Sequence, residues 1–153
     1  MKKGIRVLLI GDSILGNYFS AVKDNLNGIA EVSYPPENCG YTGYGLEHIN
    51  EWLGTEKWDV IHFNFGIWDT HALNADGKML SASVLDSTCH LRYTPEQYKE
   101  NLTKIVEILK KIGAKLIWAS TIPVMYRTGD FFQAIPTLNL VAKSIMDSNE
   151  IPI

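Results

Sequence analysis

The sequence predicts an α/β fold: a central parallel sheet sandwiched between two layers of helices. Two patterns carry that expectation. Four short, strongly apolar runs alternate with segments whose apolar residues recur at helical spacing, and most of these segments are closed by Gly or Pro. Strands that alternate with helices lie parallel, because right-handed crossovers return each helix over a face of the sheet. A third observation locates the chemistry. Gly11-Asp12-Ser13 stands directly between the first apolar run and the first helical stripe, at the carboxyl edge where such sheets act.

Each element follows from its own residues. Ile5 to Ile10 is a nearly continuous apolar run, as expected of a strand covered on both faces. Leu15, Tyr18, Phe19, Val22 and Leu26 form one helical stripe that stops at Asn27-Gly28. Ile29 to Tyr34 is the second strand, ended by Pro35-Pro36. Leu46, Ile49, Trp52 and Leu53 mark a helix that stops near Gly54. Trp58 to Phe65 is the third strand, closed by Gly66.

Residues 70–93 have no clear period and hold the turn Asn74-Ala75-Asp76-Gly77, so this stretch reads as a wall or lid over the site. Thr94-Pro95-Glu96-Gln97 then announces a helix, with Thr94 capping, Pro95 at the first helical position and Gln97 closing a capping box. Tyr98, Leu102, Ile105, Val106, Leu109 and Ile112 are its buried stripe, and Gly113 ends it. Ala114 to Ser120 is the fourth strand. Leu138, Val141, Ala142, Ile145 and Met146 mark the last helix before Ile151-Pro152-Ile153. The expected architecture is a three-layer, flavodoxin-like sandwich with four clear parallel strands and a fifth truncated or only begun.

With 153 residues, 46% of them hydrophobic and 20% charged, residues 1–153 suffice for one domain with a real core. A net charge of -3, with Lys and Arg scattered rather than striped, argues against nucleic acid. No apolar stretch is long enough to span a bilayer, and Arg6 breaks the only candidate signal segment; the expectation is a cytoplasmic protein. Cys39 and Cys89 read as free thiols. His48, His62, His71 and His90 show no zinc-type spacing with them, so no metal is expected. Neither a Walker A pattern nor Gly-x-Gly-x-x-Gly follows a strand, which argues against a nucleotide binder.

Three ordered blocks lie at the carboxyl ends of successive strands: Gly11-Asp12-Ser13, Asn38-Cys39-Gly40, and Gly66-Ile67-Trp68-Asp69. In these blocks the sequence resembles the SGNH/GDSL family of esterases and lipases over nearly its whole length. The resemblance implies that Ser13 is the acyl nucleophile. It also implies an oxyanion hole made by the backbone N–H groups of Ser13 and Gly40 with a side-chain amide, donors fixed where negative charge develops. Trp68 stands where the family has asparagine, and an indole N–H does not reproduce amide geometry. Asn64, two residues before Gly66, reads as either the substitute donor or a hydrogen-bonded core residue.

Asp12 reads as a helix cap beside the nucleophile, and Asp69 as a tether for the third loop. Trp68, His71 and Arg127 read as further site walls or supports, with Tyr41, Tyr44 and Tyr126 as pocket aromatics. The family's Asp-x-x-His block, which supplies the base, has no counterpart in this chain, so the resemblance implies a C-terminally incomplete domain with impaired activity. His62 reads as a core residue and His48 as lying on the outer face of its helix.

The implied activity is hydrolysis of a small acyl or acetyl ester, with a carbohydrate ester as one candidate, without metal or organic cofactor. The alternative is a non-catalytic small-molecule-binding or vestigial domain. An edge lacking its fifth strand would expose backbone donors and acceptors, so a homodimer is expected to cover it.

Overall fold

The structure is a computed structural model that describes residues 4–80, 88–124 and 130–153, with side chains described from 133 onward in the last segment. Its elements in chain order are β1 (Ile5–Ile10), α1 (Ser13–Asn25), β2 (Ala30–Ser33), α2 (Thr42–Leu53) and β3 (Val60–Phe63). They continue with β4 (Ala72–Leu73), β5 (His90–Leu91), α3 (Pro95–Ile112), β6 (Lys115–Trp118) and α4 (Asp130–Ser148). Four strands form one parallel sheet in the order β2-β1-β3-β6, so the topology reverses beside β1, the strand that leads to Ser13.

Strand alternation divides the sheet into two unequal faces. Leu8, Ile10, Ile61, Phe63, Leu116 and Trp118 point into the larger core, where α2, α3 and α4 pack as one layer. Val7, Leu9 and Val32 meet Leu15, Phe19, Val22 and Leu26 of α1 on the other face. In register with Leu9, His62 and Ile117 share that second face but are only half-buried, because α1 runs over β1 and β2. His62 is therefore a rim residue rather than a core residue. Its Nδ1 has no hydrogen-bond partner among the described residues, and burial lowers its pKa.

The third helix forms as its sequence dictates. Thr94 Oγ1 accepts from Gln97 N while the Gln97 side chain accepts from Thr94 N, and Gly113 closes the helix in the left-handed conformation at φ 77°. The helical stripes and the placement of His48 need correction, and two elements add detail the sequence did not carry. Tyr18 and Ile112 are exposed, lying at the margins of their stripes rather than within them.

The unpatterned stretch after Thr70 contains a small antiparallel hairpin pairing Ala72 with Leu91 and Leu73 with His90, strands too short to show a period. The last helix begins at Asp130, running through Pro136 well before the stripe that starts at Leu138. His48 does not face outward alone: its ring stacks on Tyr44 at 3.9 Å and lies 6.1 Å from Trp52.

Beyond β6, Trp118 N donates to Pro152 O at 2.9 Å, which places the Ile151-Pro152-Ile153 segment along the outer edge of the sheet. Among the described residues no helix is long and apolar enough to cross a membrane.

Candidate active site

Ser13 is positioned by the turn that precedes it. The apolar strand β1 ends at Ile10, and Gly11 makes a tight passage, since a Cβ there would lie 2.8 Å from Leu15 Cδ1. Asp12 is the N-cap of α1: its backbone is extended and its Oδ1 accepts from Ile14 N at 2.8 Å. Burial raises the Asp12 pKa, and the bonds from the N–H groups of Ile14 and Leu15 pull it back down. The cap thus occupies the next two amides of the first turn. Ser13 itself is exposed, at the first helical position, and no described residue accepts its backbone N–H.

The loop carrying Gly40 is fastened to this turn and held on both sides. Cys39 N donates to Gly11 O at 3.2 Å. The Cys39 side chain is fully buried and its thiol is pushed up to about 12 by that burial, which makes it an inert packing group. Gly40 adopts φ 59°, a conformation that favours glycine, and its N–H donates to Asn38 Oδ1 at 2.9 Å. Ahead of the loop, the Glu37 carboxylate accepts from Tyr44 OH at 2.6 Å and Trp52 Nε1 at 2.8 Å. Behind it, Thr42 donates to Asp69 Oδ1 through its N–H at 3.0 Å and its hydroxyl at 2.5 Å.

Asp69 is fully buried, and its Oδ2 has no hydrogen-bond partner among the described residues. Desolvation pushes its carboxyl up to about 7, against the lowering effect of the Thr42 bonds. The carboxylate therefore ties the second loop to the third at the cost of its own solvation. Asn101 Nδ2 completes the knot by donating to Thr42 Oγ1 at 3.2 Å.

Asn64 lies just past β3, its backbone N–H on Ile10 O, and its amide faces the loop after β6. Nδ2 donates to Ala119 O at 2.5 Å and Thr121 Oγ1 at 3.1 Å, so both amide hydrogens are engaged. Thr121 is clamped in turn, its N–H bonded to Asn139 Oδ1 and its carbonyl to Asn139 Nδ2. Gly66, at φ 156°, is required here because a Cβ would collide with Thr121 Oγ1. A cleft of about 70 Å³ opens between Asp12, Tyr18, Asn64 and Thr121.

Trp68 is half-buried, its ring centroid 4.7 Å from that of His71. Ser13, Gly40, Asn64, Trp68 and Asp69 thus share the carboxyl edge of the sheet, linked through Gly11, Cys39 and Thr42. Arg127 and Tyr126 lie outside the described residues. No histidine hydrogen-bonds Ser13 among the described residues, and among them no cluster of three or more His, Cys, Asp or Glu residues is arranged to hold a metal ion.

Two residues were missed in the sequence. Glu37 follows Pro35-Pro36 with no local pattern to mark it, and only the fold brings Tyr44 and Trp52 to its oxygens. Arg92 sits in the unpatterned stretch before Thr94; its Nε donates to Trp68 O at 3.1 Å and its guanidinium carbon lies 4.1 Å from the Tyr41 ring centroid. The one signal for it was a cation in a long connection already read as a wall of the site.

No protein-family model matches this sequence, and no curated protein is similar to it in sequence. Solved structures do match. An acetyl xylan esterase, AlAXEase, superposes with a TM-score of 0.74 at 15% identity, covering 97% of this chain and 75% of that one. A GDSL-like lipase from Bacteroides thetaiotaomicron VPI-5482 gives 0.71 at 19% identity, with coverages of 99% and 68%. The SGNH-hydrolase family esterase AlinE4 gives 0.71 at 16% identity, with coverages of 99% and 76%. The chain has the fold of the SGNH/GDSL esterases and lipases, in agreement with the resemblance of its three blocks.

Proposed function

We propose that this chain is an SGNH-type acyl-ester hydrolase with Ser13 as its nucleophile, acting on small acyl esters and on acetyl esters in particular. One observation supports the reading above all: Ser13 is exposed at the first position of α1 with its own N–H unbonded among the described residues, beside a glycine loop tied to the same turn by Cys39. An acetyl ester fits the neighbouring acetyl xylan esterase, and a carbohydrate alcohol is the corresponding substrate side.

In this mechanism Ser13 Oγ attacks the ester carbonyl carbon, and the tetrahedral oxyanion forms beside the Ser13 N–H at the positive end of α1. The Gly40 N–H joins when the oxyanion displaces Asn38 Oδ1, each donor supplying about 3 kcal/mol of transition-state stabilisation. Asn64 joins only by turning an amide hydrogen away from Thr121 Oγ1, the longer of its two bonds. Collapse breaks the ester C–O bond, and the serine proton leaves with the alcohol. Water then cleaves the acyl-serine to carboxylic acid and restores the hydroxyl.

Turnover by this chain is expected to be slow, because none of the four imidazoles is bonded to Ser13 among the described residues. Loss of the base in a serine hydrolase lowers kcat by on the order of 10⁶, while donors and binding alone retain about 10³–10⁴ over water. p-Nitrophenyl acetate hydrolysis compared with Ser13→Ala tests the reading. A measurable rate abolished by the substitution supports it, and equal rates would leave only a ligand-binding role.

Self-association belongs to the same proposal. Among the described residues the outer edge of β6 is met only at Trp118, by Pro152 O, and an edge strand so placed can pair with a second copy. Sedimentation of a dimer is expected; a monomer at high concentration would remove this element.

A further inference from the structure

Arg92 is held in place by a carbonyl and an aromatic ring, neither of which is a salt-bridge partner. Its Nε is committed to Trp68 O at 3.1 Å, and its guanidinium carbon lies 4.1 Å from the centroid of Tyr41, the residue after Gly40. Tyr41 also meets Tyr93 edge-on, with ring centroids 5.9 Å apart. A hydrogen bond at one nitrogen and an aromatic ring against the plane fix the orientation of a guanidinium, so its two terminal nitrogens form a preset fork.

Among the described residues no carboxylate lies within 4 Å of that fork. Asp69, the nearest acid by sequence to Trp68, spends Oδ1 on Thr42 and is fully buried. Arg92 is itself only half-buried, and it also lines a cavity of about 520 Å³ with His90, Leu91 and Pro95. A structural strut would need the aliphatic stem and the ring contact. It would not need a half-buried cation that makes no salt bridge among the described residues and meets the buried Asp69 carboxyl only through its longer-range field.

We propose that Arg92, stacked on Tyr41 and anchored to Trp68, is the specificity residue of this site and binds a carboxylate carried by the ester substrate. The inference deepens the ester-hydrolase reading and rests on it for the reaction, but the anion subsite can be measured without turnover. A carboxylate matches the fork through two parallel N–H···O bonds.

The probe pair is 4-acetoxybenzoate and its neutral methyl ester, whose kcat/KM ratio is measured for the native chain, Arg92→Gln and Arg92→Lys. The ratio of the two esters cancels any general loss of activity, and comparison between variants cancels their intrinsic reactivity. The anionic-to-neutral ratio should fall about tenfold or more in Arg92→Gln and recover only in part in Arg92→Lys, which keeps the charge but loses the fork.

Binding of 4-hydroxybenzoate to Ser13→Ala, with and without Arg92→Gln, is followed by titration calorimetry. Binding that depends on Arg92 and weakens with salt, in a chain that shows no Ser13-dependent turnover, would keep the subsite and overturn the hydrolase. An unchanged ester ratio in folded Arg92→Gln, or no Arg92-dependent binding in a chain without turnover, would overturn the subsite. If Arg92→Gln fails to fold, a Lys variant with the native ratio is the overturning result.

Discussion

Replacing Asp69 tests how the second and third loops are held together. Asp69 and Thr42 are both fully buried, and Oδ1 receives both the N–H and the hydroxyl of Thr42. Asp69→Ala strands two buried donors at about 1–3 kcal/mol each, so a loss of about 4 kcal/mol is expected, a large share of a domain's total stability.

Asp69→Asn behaves differently. Its Oδ1 still accepts both bonds, its amide takes the place of the unpartnered Oδ2, and it cannot titrate. The native carboxyl, raised by burial from an ordinary 3.8 to about 7, binds its proton more tightly folded than unfolded. Its contribution to stability is therefore greatest below about pH 4 and is lost as pH rises towards 7, over a range of about 4 kcal/mol. Urea denaturation of the native chain and Asp69→Asn between pH 4 and 8 measures this directly. The native chain should lose stability relative to the variant as pH rises. Parallel pH profiles would refute the reasoning, since they would mean that no proton is gained at position 69 on folding.

Gly66→Ala should destabilise the chain by about 2–3 kcal/mol in urea melts, with part of the loss recovered when Thr121→Ala removes the hydroxyl in its way. Tyr44, whose phenol is pushed up to about 12 chiefly by its bond to Glu37, should ionise at lower pH in Glu37→Gln, as read by ultraviolet titration. An unshifted tyrosine titration would mean that the Glu37 contact does not persist in solution.

The layered fold was legible because each of its parts carries a local signal. Thr94, Pro95, Gln97 and Gly113 bracket α3 by capping chemistry alone, the apolar run of β1 is buried on both faces over its last four residues, and β3 alternates buried with half-buried positions. The two-residue strands around Ala72 and His90 were not legible, since a pair held by so few residues has neither period nor propensity. The first turns of α4 were obscured by Pro136, which normally argues against a helix interior.

The site divides in the same way. Gly11-Asp12-Ser13 and Gly40 announce themselves because a cap and a left-handed glycine are local devices. The partners of Asn64, Glu37 and Asp69 are set by residues 55 and 57, 7 and 15, and 27 positions away. No local pattern shows that Asn64 turns toward Ala119 and Thr121. Arg92 was hidden for the same reason, its two contacts both lying in other blocks of the chain.

The proposed hydrolysis requires a reactive Ser13, and covalent labelling measures that most directly. Incubation with a fluorophosphonate ester, followed by peptide mass spectrometry, should place one adduct on Ser13 and none in Ser13→Ala. An unlabelled Ser13, or modification equally present in Ser13→Ala, would contradict it.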